Sequence, residues 1–358
     1  MIYLDYQATT PLAPEAREVM LRWLGGPDSD HFGNPHSSHR MGRMAAAAVE
    51  VAREQVAALF PPGGRVIFTG CATEAINLAI RGSGGGGTVA VSAIEHAAVL
   101  DTANAVATVH PLAVSHDGIC DPAQAVPDGT RLVAVMQVNN EIGTVQPCGE
   151  WYRKARGIGA LYLCDAVQAY GKTPVAEADM IAISAHKFHG PKGVGALWLR
   201  DGVTLGEVQT GGGQEHSLRS GTLSPALIAG FGAAARVAAE RREEDAAHVE
   251  ALWQRARDLF ADWTLNGSEN QRWHGNLNIR LNGLDVNRLM SDCRSVMFSA
   301  GSACASGSGR PSHVLKAIGL SDRQTKSSVR LGFGRYTSLA DIEEAATRIK
   351  AAAKEQGL

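Results

Sequence analysis

Short apolar runs alternate with longer segments of helical pattern through the middle of the chain. The apolar runs are rich in Val, Ile and Leu, which is typical of strands buried on both faces of a sheet. Helical segments such as Ala72–Arg81 and Gly149–Arg156 separate them. This alternation predicts an α/β fold with right-handed crossovers, a mostly parallel sheet and helices on both of its faces. The predicted strands are Arg65–Thr69, Thr88–Ser92, Arg131–Val138, Ala160–Cys164, Met180–Ser184 and Gly195–Arg200.

A second pattern follows the long helix that we predict over Ser224–Arg242. Alternating strands and amphipathic helices in that region are typical of an α+β unit. We place the boundary near 235–245, within a helix and not at a linker. The sequence thus predicts a large α/β domain over 12–240 and a smaller α+β domain built from 1–11 and 241–358. The elements predicted for the smaller domain are the strands His274–Leu281 and Val329–Phe333 and the helices Asp285–Cys293 and Leu339–Ala353.

The composition is that of an ordinary globular protein without a surface for polyanions. Of 358 residues, 45% are hydrophobic and 20% are charged, and the formal net charge is −2. A near-neutral charge without a basic stripe argues against binding to nucleic acid or to an anionic membrane surface. No apolar run reaches the roughly 18–20 residues that span a bilayer, and the N-terminus lacks the pattern of a signal peptide. We therefore expect a cytoplasmic enzyme.

The six cysteines are scattered along the chain without the spacing of a metal site, so no bound metal is expected. Reduced thiols are more typical of such a chain than a disulfide framework. Five of the cysteines occupy positions that suit structural residues. The exception is Cys304, which lies in the segment Ser299–Gly309, composed almost entirely of small residues. That composition predicts an exposed loop, and an accessible thiol there is a candidate nucleophile.

Polar residues follow the predicted strands at the points where the strands end. Each such residue alone is more often a helix cap or an ordinary surface group. Ligands of open α/β sheets, however, bind at the carboxyl ends of the strands. Five coincidences along one edge therefore predict a functional site there. The five residues are Thr73, His96, Asn140, Asp165 and Lys187.

Lys187 is the residue in this group with the most specific chemistry. It stands directly after the apolar run Met180–Ser184, between histidines and glycines. Poor solvation disfavours the ammonium form of a lysine, which lowers its pKa and lets the amine attack carbonyl groups. The position therefore predicts a Schiff-base lysine. Asp165 ends the preceding strand, where a carboxylate suits the protonated ring nitrogen of a cofactor.

Two further groups of residues suit anionic parts of ligands. The turn around Thr73 offers backbone N–H groups and the positive end of a helix dipole, which favour an anion such as phosphate. Ser184 and His186 can add donors to the same anion. In the smaller domain, the planar guanidinium of Arg330 suits the capture of a substrate carboxylate, with Arg335 as the nearby competitor.

Taken together, these motifs resemble those of pyridoxal-phosphate enzymes of fold type I. More narrowly, the chain is similar to the class V aminotransferase-like cysteine desulfurases of the nitrogen-fixation and iron–sulfur-cluster type. The resemblance covers essentially the whole chain and implies a large domain with a seven-stranded sheet sandwiched by helices. The motifs that carry it are Tyr3-Leu4-Asp5-Tyr6-Gln7-Ala8-Thr9-Thr10-Pro11, Gly33-Asn34-Pro35, Ala72-Thr73-Glu74, Glu95-His96, Asn139-Asn140-Glu141, Asp165-Ala166-Val167-Gln168, His186-Lys187, Arg219-Ser220-Gly221-Thr222 and Gly301-Ser302-Ala303-Cys304.

The resemblance implies how the matched residues would hold pyridoxal 5'-phosphate. Lys187 would carry the cofactor covalently and Asp165 would pair with its ring nitrogen. His96 would stack on the ring, and Gln168 would hydrogen-bond the phenolic oxygen. In a homodimer, the phosphate site would be shared between subunits. The phosphate would be held by Ala72, Thr73, Ser184 and His186 of one subunit and by Thr222 of the other, and Asn140 would also line the cofactor site.

The same resemblance implies the reaction. L-cysteine, bound by Asn34, Asn140 and Arg330, would be converted to L-alanine, and its sulfur would remain on Cys304 as a persulfide. An acceptor protein such as an iron–sulfur scaffold would then take the sulfur. Lys187 would be the base for the Cα proton, and His96 would assist with the substrate thiol.

Two other interpretations fit parts of the pattern. A selenocysteine lyase, or another pyridoxal-phosphate-dependent C–S or C–Se lyase, would use the same cofactor residues, and Cys304 would then be dispensable. A non-catalytic sulfur-transfer partner is disfavoured because Lys187 and Asp165 are both present.

Overall fold

A seven-stranded sheet lies between two layers of helices in the computed structural model of the chain, which describes residues 1–84, 86–301 and 311–358. The strands of the described ranges are β1 (Ile2–Tyr3), β2 (Gly64–Thr69), β3 (Thr88–Ser92), β4 (Thr108–Leu112), β5 (Thr130–Ala134), β6 (Leu161–Asp165), β7 (Met180–Ser184), β8 (Gly195–Arg200), β9 (Thr264–Leu265), β10 (Asn276–Arg280), β11 (Val296–Met297), β12 (Ser299–Ala300) and β13 (Ser328–Gly332). The helices are α1 (Pro14–Arg22), α2 (Arg40–Ala57), α3 (Ala72–Gly82), α4 (Ala97–Val106), α5 (Cys148–Gly157), α6 (Pro225–Glu240), α7 (Arg242–Leu259), α8 (Val286–Asp292), α9 (His313–Ala317), α10 (Asp322–Lys326) and α11 (Leu339–Lys354).

The large sheet has the strand order β2-β8-β7-β6-β5-β3-β4. The five strands from β7 to β4 are mutually parallel, and β8 runs antiparallel to both of its neighbours. The predicted mostly parallel α/β sheet is therefore confirmed. The edge strand β4 escaped prediction because His110 and Pro111 interrupt its apolar pattern. Proline is tolerated there because an edge strand has one side without a ladder.

The strand predicted over Arg131–Val138 is too long, because β5 ends at Ala134. Beyond that residue the regular strand ends, but the N–H groups of Val135 and Gln137 still donate to the carbonyls of Leu163 and Asp165 on β6, at 3.3 and 2.9 Å. Val138 forms an isolated bridge with Val145. Residues 135–138 remain buried, so the pattern of the strand continues past its regular end. This extension carries the following residue pair, Asn139-Asn140, over the carboxyl edge.

The central strands are apolar throughout because each is buried on both faces. In β7, Ile181 and Ile183 pack in a core with Phe231, whereas Met180 and Ala182 pack in a second core on the opposite face. The first core joins the sheet to α1, α2, α5 and α6, and the second joins it to α3 and α4. No helix within the described ranges is both long and apolar enough to cross a membrane.

The C-terminal part of the chain builds a smaller antiparallel sheet in the order β12-β13-β10-β9. The start of the chain joins it, since β1 pairs in parallel with β11. Leu4 accordingly packs in a third core with Leu252, Ile279 and Ile349. The predicted long helix over Ser224–Arg242 ends at Glu240, and α7 begins two residues later.

A buried ion pair fastens α2 to β2 and to the segment near residue 215. Arg53 places its guanidinium across both carboxylate oxygens of Glu215, at 2.7 and 2.8 Å, and also donates to the carbonyl of Val66. Glu215 in turn accepts from the backbone N–H of Phe68 at 2.6 Å, and its side chain is only 2% exposed. Its carboxylate therefore depends on these donors for the solvation that water would otherwise provide.

Replacing Arg53 by Met should destabilise the fold by about 3–5 kcal/mol, because it leaves a buried carboxylate without its cation. Urea-induced unfolding measures the change. Arg236→Met is the matched control: its exposed pair with Glu240 spans one helical turn, and such pairs contribute about 0.3–0.5 kcal/mol. Adding Glu215→Gln to Arg53→Met should recover part of the loss. Equal effects of Arg53→Met and Arg236→Met would contradict this account.

Candidate active site

One cavity of about 310 Å³ lies at the carboxyl edge of the large sheet and collects most of the predicted site residues. The cavity borders both the sheet and the smaller domain, since the lining includes β6, β7 and β13. Of the twelve predicted residues within the described part of the chain, ten line it. They are Ala72, Thr73, His96, Asn140, Asp165, Gln168, Ser184, His186, Lys187 and Arg330.

One end of the cavity is built to receive an anion. Helix α3 begins there at Ala72, and its N-cap residue Cys71 makes no side-chain capping bond within the described chain. The first N–H groups of a helix have no partner inside the helix. The hydroxyl of Ser184 is buried in the same cavity and finds no hydrogen-bond partner among the described residues. Unsatisfied donors beside a helix N-terminus are what a phosphate group requires.

A close approach of two backbones shapes this end of the cavity. A Cβ atom on Gly195, the first residue of β8, would lie 2.7 Å from the carbonyl carbon of Cys71 and 2.9 Å from the nitrogen of Ala72. Only glycine therefore lets β8 start directly against the turn before α3. The close contact with β8 therefore fixes the positions of the N–H groups in that turn.

His186 supplies a neutral imidazole to the same region. Burial lowers its pKa to about 4, and the charges of Lys187, Lys192 and Lys172 act in the same direction. Its Nδ1 lies 3.1 Å from the hydroxyl of Thr9. At neutral pH the ring therefore offers hydrogen bonds to an anion without carrying a charge of its own.

Lys187 stands at the end of a short 3-10 turn, Ala185–Lys187, that follows β7 directly. Its Nζ donates to the carbonyl oxygens of Gln7, at 2.7 Å, and Ala8, at 2.8 Å. The N-terminal segment thus crosses the site and holds the amine by main-chain groups. This placement brings a primary amine into the cavity lining, close enough to Asp165 for its charge to lower the pKa of that carboxyl.

Asp165 is the acidic group of the opposite end. It is the last residue of β6, is buried, and accepts at Oδ1 from the N–H of Val167 at 2.9 Å. Burial raises the pKa of Asp165, whereas the charges of His96 and Lys187 oppose that rise. A buried carboxylate in this position is stabilised by a cation, so a protonated ring nitrogen suits it.

His96 caps α4 and faces the cavity close to Asp165. Its Nδ1 accepts a hydrogen bond from the N–H of Ala98 at 3.1 Å. In the neutral ring the proton therefore sits on Nε2. His96 consequently offers a donor, which suits holding a thiolate better than removing a proton from a thiol. Beneath it, burial raises the pKa of Glu95 well above its usual range.

Arg330, on β13, forms the third wall of the cavity. Its Nη2 donates to Asp5 Oδ1 at 2.7 Å and to Ser299 Oγ at 3.3 Å, and Nη1 donates to the carbonyl of Asn140 at 3.1 Å. The side chain is 1% exposed. Its Nε is buried without a partner in the described part of the chain. An orphan donor on a guanidinium that lines a cavity fits a carboxylate ligand.

Two of the predicted residues that the structure describes do not line this cavity. Thr222 lies in a separate cleft of about 90 Å³ with Gly70 and Arg219. Asn34 instead accepts a hydrogen bond from the N–H of His36 at 2.9 Å, in the turn before α2. Cys304 lies outside the residues that the structure describes. The roles of these three residues remain predictions.

The residues missed by sequence reasoning act mostly through their backbone. The carbonyls of Gln7 and Ala8 accept hydrogen bonds from Lys187. Every residue has a main-chain carbonyl, so the residue type does not reveal this role. The position of Gln7 depends on Gly332, where a Cβ would lie 1.8 Å from Gln7 Oε1. Lys172 was also missed, although it follows Gln168 by one helical turn in sequence and donates to its side chain at 3.0 Å.

The donor set of this cavity fits pyridoxal 5'-phosphate. The orphan hydroxyl of Ser184 and the uncapped start of α3 suit its phosphate, and Asp165 suits its ring nitrogen. Lys187 lies in the same lining with the amine that the aldehyde of the cofactor requires.

Comparisons with known proteins agree with the geometry. Residues 2–344 match the family described as Aminotransferase class-V. A protein named Cysteine desulfurase IscS, from Rickettsia rickettsii (strain Iowa), is 39% identical over 372 residues, covering 97% of this chain and 90% of that protein. A solved structure named NIFS-like protein superposes with a TM-score of 0.90 at 30% identity and 99% coverage of both chains. Another, described as SspA in complex with cysteine, gives a TM-score of 0.82 at 32% identity, covering 94% of this chain and 100% of that one.

Acidification should destabilise the folded chain through two histidines of this region. Burial lowers the pKa of both His186 and His189 from 6.5 to about 4. Between these values the unfolded chain binds protons that the folded chain does not, so the unfolding free energy should fall as the pH drops from about 6.5 to 4. Urea unfolding at several pH values measures this slope, which His186→Asn and His189→Asn should each reduce. Titration of both folded rings near pH 6.5, followed by NMR, would contradict the prediction.

Proposed function

The chain belongs to the class-V aminotransferase family, and we propose that within it the protein is a pyridoxal-phosphate-dependent cysteine desulfurase. It converts L-cysteine to L-alanine and keeps the sulfur as a persulfide on Cys304. The sulfur then passes to iron–sulfur cluster assembly or to another sulfur-trafficking route. The relatives named as cysteine desulfurases and the solved relative that contains cysteine support this assignment.

One observation carries the proposal: a single cavity combines a lysine amine with matched sites for the two ends of the cofactor. Lys187 lies in the same lining as Asp165 and the orphan hydroxyl of Ser184. A surface lysine in a loop would have no reason to be accompanied by a buried carboxylate and an unsatisfied buried donor. A cofactor that bears both a cationic ring nitrogen and a phosphate accounts for all three groups.

When bound, the cofactor supplies an aldehyde for an amine and an electron-poor ring that accepts the electrons of the substrate Cα–H bond. The chain supplies the positions and the protons. Asp165 would hold the ring nitrogen in its protonated form, and the amide of Gln168 would donate toward the phenolic oxygen. Lys187 Nζ would take the proton from the substrate Cα.

Arg330 fixes the substrate by its carboxylate. Arg330, Asn140 and His96 all line the cavity, so one substrate can meet the guanidinium with its carboxylate and His96 with its side chain. The Nε2–H of His96 can then hold the thiolate of the substrate. The role of Asn34 in substrate binding has no such support, because it does not line this cavity.

Sulfur transfer balances without an outside oxidant. The thiolate of Cys304 attacks the sulfur of the substrate, an S–S bond forms, and the C–S bond breaks. The electron pair of that bond stays on the substrate carbon, which takes up a proton to become the methyl group of alanine. The sulfur is thus oxidised to the persulfide level while the carbon is reduced.

The attachment points of the segment that contains Cys304 support its role. On one side, the N–H of Gly301 donates to the carbonyl of Ser328 at 3.0 Å, next to β13. On the other side, Ser312 donates to the carboxylate of Glu141. The ring of His313 lies 2.9 Å from the carbonyl oxygen of Glu95. Glu95 and Glu141 directly adjoin His96 and Asn140, and Ser328 begins the strand that carries Arg330. Both ends of the segment are therefore attached to elements that line the cavity.

The assembly and its surroundings complete the proposal. We propose a cytoplasmic homodimer in which Thr222 completes the phosphate site of the other subunit, and an acceptor protein such as an iron–sulfur scaffold. The placement of Thr222 in a cleft separate from the cavity of its own chain supports the first point. We also propose the two domains 12–240 and 1–11 with 241–358, since Leu4 shares a core with residues 252–353.

Lys187→Ala should abolish the visible absorbance band of the enzyme loaded with pyridoxal phosphate, because that band requires the cofactor to be linked to the lysine. Lys192→Ala is the matched control, since Lys192 is an exposed lysine in the same segment. It should keep the band. Absorbance spectra of the reconstituted proteins measure both outcomes. A wild-type protein that stays colourless with the cofactor would contradict the proposed cofactor.

Incubation of the loaded enzyme with cysteine should add one sulfur atom to Cys304, which mass spectrometry of the proteolysed protein detects. Cys71 serves as the internal control because it is an exposed thiol that lines the same cavity. It should stay unmodified. Cys304→Ser should retain the visible band but form no persulfide. Undiminished release of sulfide and alanine by that variant would contradict the nucleophilic role of Cys304.

A further inference from the structure

A second cavity, of about 260 Å³, lies behind the cofactor cavity and is lined by other residues of the same segments. Phe188 and Tyr6 line the second cavity, whereas their neighbours Lys187 and Gln7 line the first. A thin wall of side chains therefore separates the two spaces. Lys172 stands on the rear side of this wall.

Lys172 reaches through the wall to Gln168. Its Nζ donates to Gln168 Oε1 at 3.0 Å and lies 4.5 Å from the centre of the Trp273 ring. The amide nitrogen of Gln168, Nε2, donates to the carbonyl of Gln7 at 3.0 Å. Gln168 lines the cofactor cavity, whereas Lys172 does not. The lysine therefore does not line the space of a ligand in that cavity, and it can affect the ligand through Gln168 and through its charge.

The chemistry of the two side chains fixes their mutual orientation. An ammonium group has three donors and no acceptor, so it can be met only by the oxygen of an amide. The amide of Gln168 must then present its nitrogen to the cavity side. One N–H of that nitrogen is used by Gln7, and the second is the donor that Gln168 can offer to a ligand. Without the lysine, the amide could turn over and present its oxygen.

We propose that Lys172 is a positioning residue, which holds Gln168 with its N–H donors toward the cofactor and thereby sets the acidity of the lysine-linked cofactor. The inference rests on the proposed function. A donor to the phenolic oxygen of the ring stabilises the unprotonated oxygen and weakens its attraction for the proton on the linked nitrogen of Lys187. The positive charge of Lys172 disfavours that proton as well.

The surroundings of Lys172 agree with this role. Burial lowers its pKa to about 7, and the charge of Lys187 adds to the effect. The other titratable rings that face its charge are His186 and His189, both of which have their pKa lowered to about 4. These rings are neutral above pH 5, so they add no charge of their own beside Lys172.

The test is a pH titration of the visible absorbance of the cofactor-loaded enzyme. Lys172→Met should raise the midpoint of the spectral change by about one pH unit, since both the donor orientation and a nearby positive charge are lost. Lys172→Arg, which keeps a charged group made only of donors, should restore the midpoint toward the wild-type value. A structural role alone would change the stability of these variants and leave the midpoint in place.

Lys154→Met is the matched control. Lys154 is also half-buried and lies over a tryptophan ring, at 5.6 Å from the centre of Trp151, but it is bonded to carbonyls far from the cavity. Lys154→Met should therefore leave the midpoint of the spectral change unchanged. An unchanged midpoint in Lys172→Met would overturn the inference.

The route through the amide is tested by Gln168→Leu. That change alone should raise the midpoint, and Lys172→Met should shift the midpoint by clearly less in the Gln168→Leu background than in the wild type. Two results would overturn the proposal that Lys172 acts through the amide of Gln168. In one, Gln168→Leu leaves the midpoint unchanged; in the other, Lys172→Met has its full effect in the Gln168→Leu background. Either result suffices even if one variant folds poorly. A wild-type protein without a visible band would instead overturn the proposed function, so the two failures are distinguishable.

Discussion

The site depends on one constraint: each buried positive charge needs a nearby acceptor or negative charge. Lys187, Lys172 and Arg330 share one poorly solvated region, where like charges repel strongly. The segment at the start of the chain relieves two of them: Gln7 gives its carbonyl to Lys187, and Asp5 gives its carboxylate to Arg330. Among the described residues Lys172 contacts an amide and an aromatic ring but no carboxylate, and burial lowers its pKa to about 7. The region stays rich in positive charge, which suits a phosphate and a carboxylate.

The sheet supplies this region with functional groups because its central strands are buried on both faces. Strands β6 and β7 are parallel neighbours, so their last residues, Asp165 and Ser184, arrive at the same edge. Burial there deprives both side chains of water. It raises the pKa of Asp165, and it leaves the hydroxyl of Ser184 without a hydrogen-bond partner among the described residues. A ligand that pairs with the carboxyl and hydrogen-bonds the hydroxyl would therefore stabilise both groups. The fold itself places them where they need such a ligand.

The sequence predicts those features of the fold and the site that depend on the type of side chain and on the spacing of apolar residues. The buried strands, the edge where their polar ends meet and Lys187 as the amine could all be predicted, because apolar runs and residue identity carry that information. The edge strand β4 could not, because its pattern is mixed. The end of β5 at Ala134 could not either, because the next residues stay buried and still donate to carbonyls of β6. The carbonyl of Gln7 could not be predicted either, because main-chain groups are common to all residue types.

The pairing of the first residues with the last strands has a consequence for how the protein matures. Asp5 meets Arg330 across 325 positions of sequence, and β1 pairs with β11. During synthesis the N-terminal segment emerges first but must wait for nearly the whole chain before its partners exist. The large sheet can assemble earlier, as a unit that lacks the main-chain oxygens for Lys187. The pocket can thus be completed only after β13 has been made, so the site forms later than the large sheet that carries most of its residues.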